Sequence, residues 1–295
     1  MKILVLGASG NIGSILAERL RWLGHSVSAF VRRAGASGAL ARSGIRVFNG
    51  DLEDSETIKP AISNAEIIIN ASYIVYAENI LKATREARAS LKRIIYIGST
   101  GIYTGLPSRS AEDKRTAEGL IKNSSVPYTI LRPTMVYGTA KDRNIFRLIS
   151  FLYRYPLFPV FGKGNNLVQP VYIDDVVGAV IRAVDTPETA KKSYNIGGPS
   201  SLAYNELIDI TARKLGKRVA RVHIPIGASL CVARAVRTVA GRFPVSDEQI
   251  LRLSENKDVD ITDASRDFGY APLSFQDGVE REVDLFLRTR ANHHK

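Results

Sequence analysis

The strongest constraint on this chain sits at its start, in Gly7-Ala8-Ser9-Gly10-Asn11-Ile12-Gly13. Before it, Lys2-Ile3-Leu4-Val5-Leu6 is a short aliphatic run of the kind that forms a strand buried on both faces. After it, Ile12, Ile15, Leu16, Leu20 and Leu23 recur at helical spacing, and Gly24 is a natural stop. Strand, glycine turn and amphipathic helix in that order make a dinucleotide-binding start. The glycines let backbone approach a pyrophosphate, and the helix end offers free N–H groups and a positive dipole end. Gly7, Ser9, Gly10, Asn11, Ile12 and Gly13 are therefore the first candidate binding group. The plain alternative is a tight turn that binds nothing.

Ser26–Val31 reads as the second strand and ends in Arg32-Arg33. In this motif an acidic residue near that point holds the adenosine ribose hydroxyls, whereas arginine accommodates a 2′-phosphate. No Asp or Glu occurs between Glu18 and Asp51. NADP is accordingly the expected cofactor, with NAD the second choice. The alternative is that Arg32 and Arg33 are solvated surface charges.

Further strands are expected at Ile45–Phe48, Glu66–Asn70, Arg93–Ile97 and Tyr128–Leu131, the last closed by Arg132-Pro133. Helices are expected from near Asp54, over Asn79–Ala89 and over Lys114–Lys122. This alternation implies an α/β fold, a doubly wound parallel Rossmann sheet with ligands at the carboxyl ends of its strands. Residues 1–140 read as the nucleotide-binding core. Residues 141–295 read as a mixed segment that completes the sheet and forms a small C-terminal lobe. There, Tyr153–Phe161 reads as an aromatic, proline-rich loop or lobe entry. Val168–Val171 and Ser193–Ile196 read as extended. Asp174–Val184, Leu202–Leu215, Ile226–Val239 and Ser274–Leu287 read as helical. Asp174-Asp175 fits a helix N-cap with first-turn charge better than a catalytic carboxylate pair.

The net charge of +12 is spread along the chain with no basic tail, which suits anionic ligands better than a dedicated nucleic-acid domain. One local concentration is Arg213–Arg242, with eight basic residues and no acidic one. Its arginines, Arg221, Arg234, Arg237 and Arg242, are candidates to hold a substrate pyrophosphate. The apolar stripe Ile226, Leu230, Val232, Ala233, Val236 and Val239 beside them would equally suit peripheral contact of 226–242 with an anionic membrane. A solvated basic lobe helix is the plain alternative. A single cysteine, Cys231, leaves no internal disulfide and fits a reducing, cytoplasmic setting. The first apolar run is five residues long and leads straight into the glycine turn, so no secretory signal is expected. No stretch approaches the roughly 18 to 20 apolar residues that span a bilayer. His25, His223, His293 and His294 lack metal-ligand spacing with Cys231, so no metal site is expected.

With these residues in hand, the chain resembles the short-chain dehydrogenase/reductase superfamily, in its extended branch of NAD-dependent epimerases and dehydratases. Five landmarks carry the resemblance from Met1 to about Gly278. They are the glycine turn; Gly50-Asp51-Leu52; Tyr96–Tyr103 with Gly98-Ser99-Thr100; Leu131-Arg132-Pro133 with Val136-Tyr137-Gly138; and Val171-Tyr172-Ile173-Asp174-Asp175-Val176. The resemblance implies that Asp51 and Leu52 lie by the adenine. It also implies that Asn70-Ala71-Ser72 and Pro133 border the cofactor, and that Ser99 is the catalytic hydroxyl. Lys114 matches the lysine that holds the nicotinamide ribose and lowers the pKa of the family's tyrosine, which should stand four residues earlier.

That position is Ser110, and a serine hydroxyl is too weak an acid to replace a phenol. Tyr137 and Lys141 have the spacing but lie past the sixth strand, where the match is coincidental. Tyr103 is the nearest alternative phenol to Ser99, at a position that in the family usually packs. The resemblance thus places the chain with atypical members. Two functions stay open. One is an NADP(H)-linked epimerase, dehydratase or reductase on a phosphate-bearing or nucleotide-sugar substrate, using Ser99, Lys114 and Tyr103 or another acid. The other is a non-catalytic NADP(H)-binding protein, similar to regulators of the NmrA type or to the accessory subunit of respiratory complex I. A homodimer through Asn79–Ala89 and Lys114–Lys122 would fit the family.

Overall fold

Aliphatic strands with no polar face build the centre of the molecule. The computed structural model describes residues 1–32, 37–228 and 251–293. Strand β1 (Lys2–Leu6) pairs in parallel with β2 (Ser26–Val31) on one side and β4 (Ile67–Asn70) on the other. With β3 (Arg46–Asn49), β5 (Arg93–Ile97), β6 (Tyr128–Pro133) and β11 (Lys192–Ile196) they form a seven-stranded parallel sheet ordered β3-β2-β1-β4-β5-β6-β11. The order reverses between β1 and β4, the switch point at which such sheets bind ligands beyond their carboxyl ends.

Both faces are covered, as a parallel sheet requires. Ile3, Val5, Ile67, Ile69, Ile95 and Ile97 pack on Leu16, Ala17 and Leu20 of α1 (Asn11–Trp22) and on Val176, Val177 and Val180 of α7 (Ile173–Asp185). Leu4, Leu6, Ile68, Ile94 and Tyr96 meet α3 (Ser55–Ile62), α4 (Ala77–Glu86) and α5 (Arg109–Lys122) on the opposite face. Asp54 caps α3 by accepting from the Glu56 N–H at 2.9 Å. Gly24, at φ +85°, ends α1 as expected.

Arg93 joins the two halves of the chain. It is buried, and its guanidinium donates to the carbonyls of Ala183 at 2.5 Å, Val184 at 3.2 Å and Thr186 at 3.0 Å, and to the Thr189 hydroxyl. A buried cation thereby satisfies the open carbonyl end of α7.

Several expectations are corrected. Helix α5 begins at Arg109, not Lys114, because the N–H groups of Ala111 and Glu112 both return to the Ser108 carbonyl. Ser110 and Lys114 therefore sit one turn apart on the same helix. Tyr153–Phe161 is no loop. It holds the end of α6 (Ile145–Arg154) and all of β8 (Leu157–Phe161). Ile145, Leu148, Ile149 and Leu152 supply the buried face of α6, and Pro156 follows its end. Among the described residues β8 pairs only with β13 (Ala220–Ile224), so the missing N–H of Pro159 is tolerated. Val168–Val171 is not one extended stretch. It divides at Gln169-Pro170 between β9 (Leu167–Val168) and β10 (Val171–Tyr172), which join β12 (Leu202–Ala203) and β7 (Val136–Tyr137). That pairing delays α8 to Tyr204–Lys214. Neither Asp174 nor Asp175 caps α7; both lie in its first turn, with Asp174 paired to Arg19 at 2.6 Å and Asp175 accepting from the Leu273 N–H at 2.9 Å. The helix expected over Ile226–Val239 lies, from residue 229 on, outside the described residues.

A third apolar cluster gathers α6, α8 and α10 (Phe275–His293), the last following α9 (Thr262–Phe268). Inside it Glu282 is fully buried, with one carboxyl oxygen accepting from the Gly138 N–H at 3.1 Å. Burial, reinforced by Asp142, pushes its carboxyl up from 4.5 to about 8. The folded state thus holds a proton that the unfolded state has released. The contribution of Glu282 to stability is full below pH 4.5 and is lost as pH rises through about 8. In urea unfolding across that range, Glu282→Gln is expected to remove this decline and to be the more stable variant at the alkaline end.

Candidate functional site

The glycine turn is built by close backbone approaches. Gly7, at φ +75°, donates to the Phe30 carbonyl at 3.1 Å, and the Gly10 N–H returns to the Gly7 carbonyl at 2.9 Å. A Cβ on Gly13 would lie 2.3 Å from the Gly7 oxygen, and one on Gly7 would lie 2.9 Å from the Ser72 nitrogen. No side chain fits at either place. Helix α1 has no acidic residue in its first turn and no side-chain cap, so its N–H end is open to an anion.

A cleft of about 300 Å³ opens above this turn. Gly7, Ser9 and Gly10 form its floor, Arg32, Asp51 and Leu52 one side, and Ala71, Ser72, Tyr73 and Tyr76 the other. Asn11, Ile12 and Gly13 stand behind it in the first turn of α1. Asn70 is buried below, where its side-chain oxygen accepts from the Ser72 N–H at 3.1 Å and shapes the Ala71–Ser72 wall. The Asp51 carboxylate accepts from the Glu53 N–H at 3.0 Å, which fixes the bend after β3. Arg33 lies outside the described residues. A cradle floored by glycines, an open helix end and a cation at the far wall fit a dinucleotide.

A second cavity, of about 260 Å³, lies beyond β5 and β6. Ser99 caps the 3₁₀ turn Thr100–Tyr103 by accepting from the Gly101 N–H at 3.1 Å. A Cβ on Gly101 would lie 3.2 Å from the Ser99 hydroxyl, 3.5 Å from the Arg252 guanidinium and 3.8 Å from the Lys114 amine. These three groups converge on one point. The Lys114 amine also lies 5.8 Å from the Tyr73 ring centre, and the Tyr73 hydroxyl is 3.2 Å from Ser110. Lys114 thus stands between cleft and cavity. Burial first, then Arg252, holds its amine below the usual lysine range.

Tyr103 lines the same cavity, but its hydroxyl is engaged elsewhere. It donates to Asn195 at 2.8 Å and accepts from Arg132 at 3.1 Å, and Arg132 is held by the buried Glu118 at 2.7 and 2.5 Å. Pro133 supports the Ser99 turn from below, its carbonyl accepting from the Thr100 hydroxyl at 3.4 Å. Tyr137 is buried in the lobe beside Gly278, which removes it from the cavity. Arg221 pairs with Asp209 at 2.8 Å and is committed to the lobe rather than to a ligand. Arg234, Arg237 and Arg242 lie outside the described residues, as does Cys231. Among the described residues no cluster of His, Cys, Asp and Glu suits a metal, and no helix is long and apolar enough to cross a membrane.

Three residues escaped sequence reasoning. Tyr73 follows the expected cofactor segment directly, so its place was within reach of that argument. Arg252 and Lys257 reach the cavity on residues 251–261, a strap tied down where the Glu255 carboxylate accepts from the Thr104 hydroxyl at 2.7 Å and the Gly105 N–H at 2.9 Å. Nothing local in the sequence marks that return.

Residues 7–148 match a family of NAD(P)H-binding domains. The chain is 27% identical over 275 residues to the mitochondrial NADH dehydrogenase [ubiquinone] 1 alpha subcomplex subunit 9 of Arabidopsis thaliana, spanning 85% of this chain and 67% of that one. It is 26% identical over 257 residues to a phenylcoumaran benzylic ether reductase of Ginkgo biloba, spanning 76% and 78%. Its fold is similar to that of a UDP-glucose 4-epimerase from Thermotoga maritima, with TM-score 0.78, 18% identity and coverage of 98% and 100%. A UDP-glucuronic acid 4-epimerase from Bacillus cereus, in complex with NAD, gives TM-score 0.76, 22% identity and coverage of 98% and 97%. The chain carries an NAD(P)-binding Rossmann domain in the architecture of these epimerases.

The Gly13 contact yields a direct test. Gly13→Ala must displace the Gly7 carbonyl and tilt α1 away from the cleft. NAD(P)H affinity, followed by cofactor fluorescence, is expected to fall at least about tenfold, the scale of one lost charge-assisted contact.

Proposed function

We propose that this NAD(P)-binding Rossmann protein is an NADP(H)-linked enzyme of the epimerase, dehydratase or reductase kind, acting on a phosphate-bearing or nucleotide-sugar substrate. The convergence of Ser99, Lys114 and Arg252 on one point beside the cofactor cleft carries this reading. The nicotinamide, when bound, supplies or accepts the hydride. The Ser99 hydroxyl donates a hydrogen bond to the reacting oxygen, and Lys114 orients the nicotinamide ribose from the wall between the two compartments. Arg252 attracts the substrate's negative charge. Arg32 holds the 2′-phosphate, the feature that favours NADP over NAD.

The competing reading is a non-catalytic NADP(H)-binding regulator or assembly component. It is favoured by Ser110, where the superfamily's tyrosine should stand, and by the extent of similarity to the NADH dehydrogenase subunit. The two readings part on product. Incubation with NADP(H) and a panel of nucleotide sugars and carbonyl compounds, with absorbance and product analysis together, is expected to give a converted compound that Ser99→Ala abolishes. Bound cofactor with no conversion across the panel would favour the second reading. A cytoplasmic setting and a homodimer through α4 and α5 belong to the same proposal, the dimer being open to light scattering.

Cofactor choice has its own test. Arg32→Gln is expected to weaken NADPH about tenfold, one charge-assisted hydrogen bond, and to leave NADH within about twofold by fluorescence titration.

A further inference from the structure

The cavity beside Ser99 contains an amine with no role in the reading above. Lys257 lies in its wall, on the strap that Glu255 ties to Thr104 and Gly105. The strap is also pinned on the lysine's own side of the cavity. The Lys257 N–H donates to the Leu167 carbonyl at 2.8 Å, Asn256 accepts from the Leu167 N–H at 2.9 Å, and the Val259 N–H donates to Gln169 at 2.7 Å. Backbone on both sides of residue 257 is therefore fixed, and the side chain is half-buried.

Among the described residues the Lys257 amine has no hydrogen-bond or ion-pair partner, in contrast to the charged groups around it. Glu255 is occupied by Thr104 and Gly105, and the Tyr103 hydroxyl by Asn195 and Arg132. Asp258 is exposed, and the strands facing the strap present the neutral Val168 and Gln169. Arg252 and Lys114 bring two further cations to the Ser99 end. Burial and the Arg252 guanidinium hold the Lys257 amine below the ordinary lysine range, against a smaller opposing pull from Glu255.

We propose that Lys257 is the proton-transfer group of the Ser99 cavity, doing what a serine at position 110 cannot, for a substrate whose reacting group is a carbonyl or the alcohol derived from it. The proposal rests on the enzyme reading. In the reducing direction an ammonium N–H bond breaks as an O–H bond forms on the oxygen held by Ser99. The electron pair for that bond is the carbonyl π pair, displaced as the carbon takes hydride from the reduced nicotinamide. The neutral amine recovers its proton from water at the cavity mouth. In the oxidising direction the neutral amine takes the alcohol proton. An amine that holds its proton less tightly than a surface lysine serves both directions nearer physiological pH.

The first arm of the test needs neither substrate nor cofactor. The full-length chain is acetylated with limiting acetic anhydride across a pH series, and each lysine is followed by peptide mass spectrometry. Lys257 is expected to label with a lower midpoint than the exposed Lys82, carrying more label at any pH below that reference midpoint. Arg252→Gln should move that midpoint up and Glu255→Gln should move it down. Those shifts report the amine's surroundings, and the role itself is read by product: with NADPH and the carbonyl panel, Lys257→Met is expected to lose conversion while still binding NADPH, and retained conversion would overturn the proposal. In parallel, Lys257→Met should leave NADPH affinity within about twofold of the wild type. A midpoint level with the surface lysines, labelling only after unfolding, or a loss of NADPH affinity in Lys257→Met would each overturn the proposal. Failure of the wild type to bind NADPH would instead overturn the enzyme reading while leaving the labelling result standing.

Discussion

The cofactor cleft of this chain depends on the contact between Gly13 and the Gly7 carbonyl, where a side chain would come within 2.3 Å of the oxygen. With no Cβ there, α1 starts directly off β1 and its N–H end faces the sheet's carboxyl edge. The ends of β2 and β3 then bring Arg32 and Asp51 to the same rim, and Ala71–Ser72 closes against Gly7. The helix also serves as an anchor. Arg19 on α1 reaches Asp174 on α7 at 2.6 Å, so the second half of the chain docks on the element that the glycines position.

Lys114 stands between cleft and cavity, near Tyr73 of the one and Gly101 of the other. The cleft offers backbone N–H groups and one guanidinium, a setting for phosphates. The cavity wall holds two cationic side chains, Arg252 and Lys257, and the Lys114 amine approaches it beside Gly101 and Ser99. Part of the net +12 is therefore focused at a concave wall, where low-dielectric surroundings extend its reach to an approaching anion. The one carboxylate in that wall with a fixed position, Glu255, is spent on holding the strap in place.

What was legible in the sequence was local. β1, β2 and β5 show as aliphatic runs closed by turn residues, and α1 shows as a periodic stripe between glycines. The first-half residues that line the cleft were within reach because a strand–turn–helix places them within a few positions of one another. Legibility failed where structure depends on partners distant in the chain. β8 is a strand only because β13 lies beside it, and its proline argued against that from sequence alone. The engagement of Tyr103 could not be read, since Asn195 and Arg132 come from two later strands. Arg221 looked like a ligand for phosphate until Asp209, one helix earlier, was seen to hold it. The strap that brings Arg252 and Lys257 to Ser99 has no periodicity and no motif.

Arg93 bears on where this protein can be divided. Its charge is buried in β5, yet all three carbonyls that receive it belong to Ala183, Val184 and Thr186, far beyond residue 148, where the NAD(P)H-binding match ends. A fragment cut at that boundary would keep the guanidinium at the start of β5 and lose every acceptor but the Thr129 hydroxyl. It would also uncover β6 along the edge that β11 occupies. The stretch that matches a nucleotide-binding domain thus holds five of the seven strands of the central sheet, β2 to β6. The seventh strand, β11, comes from the later half of the chain.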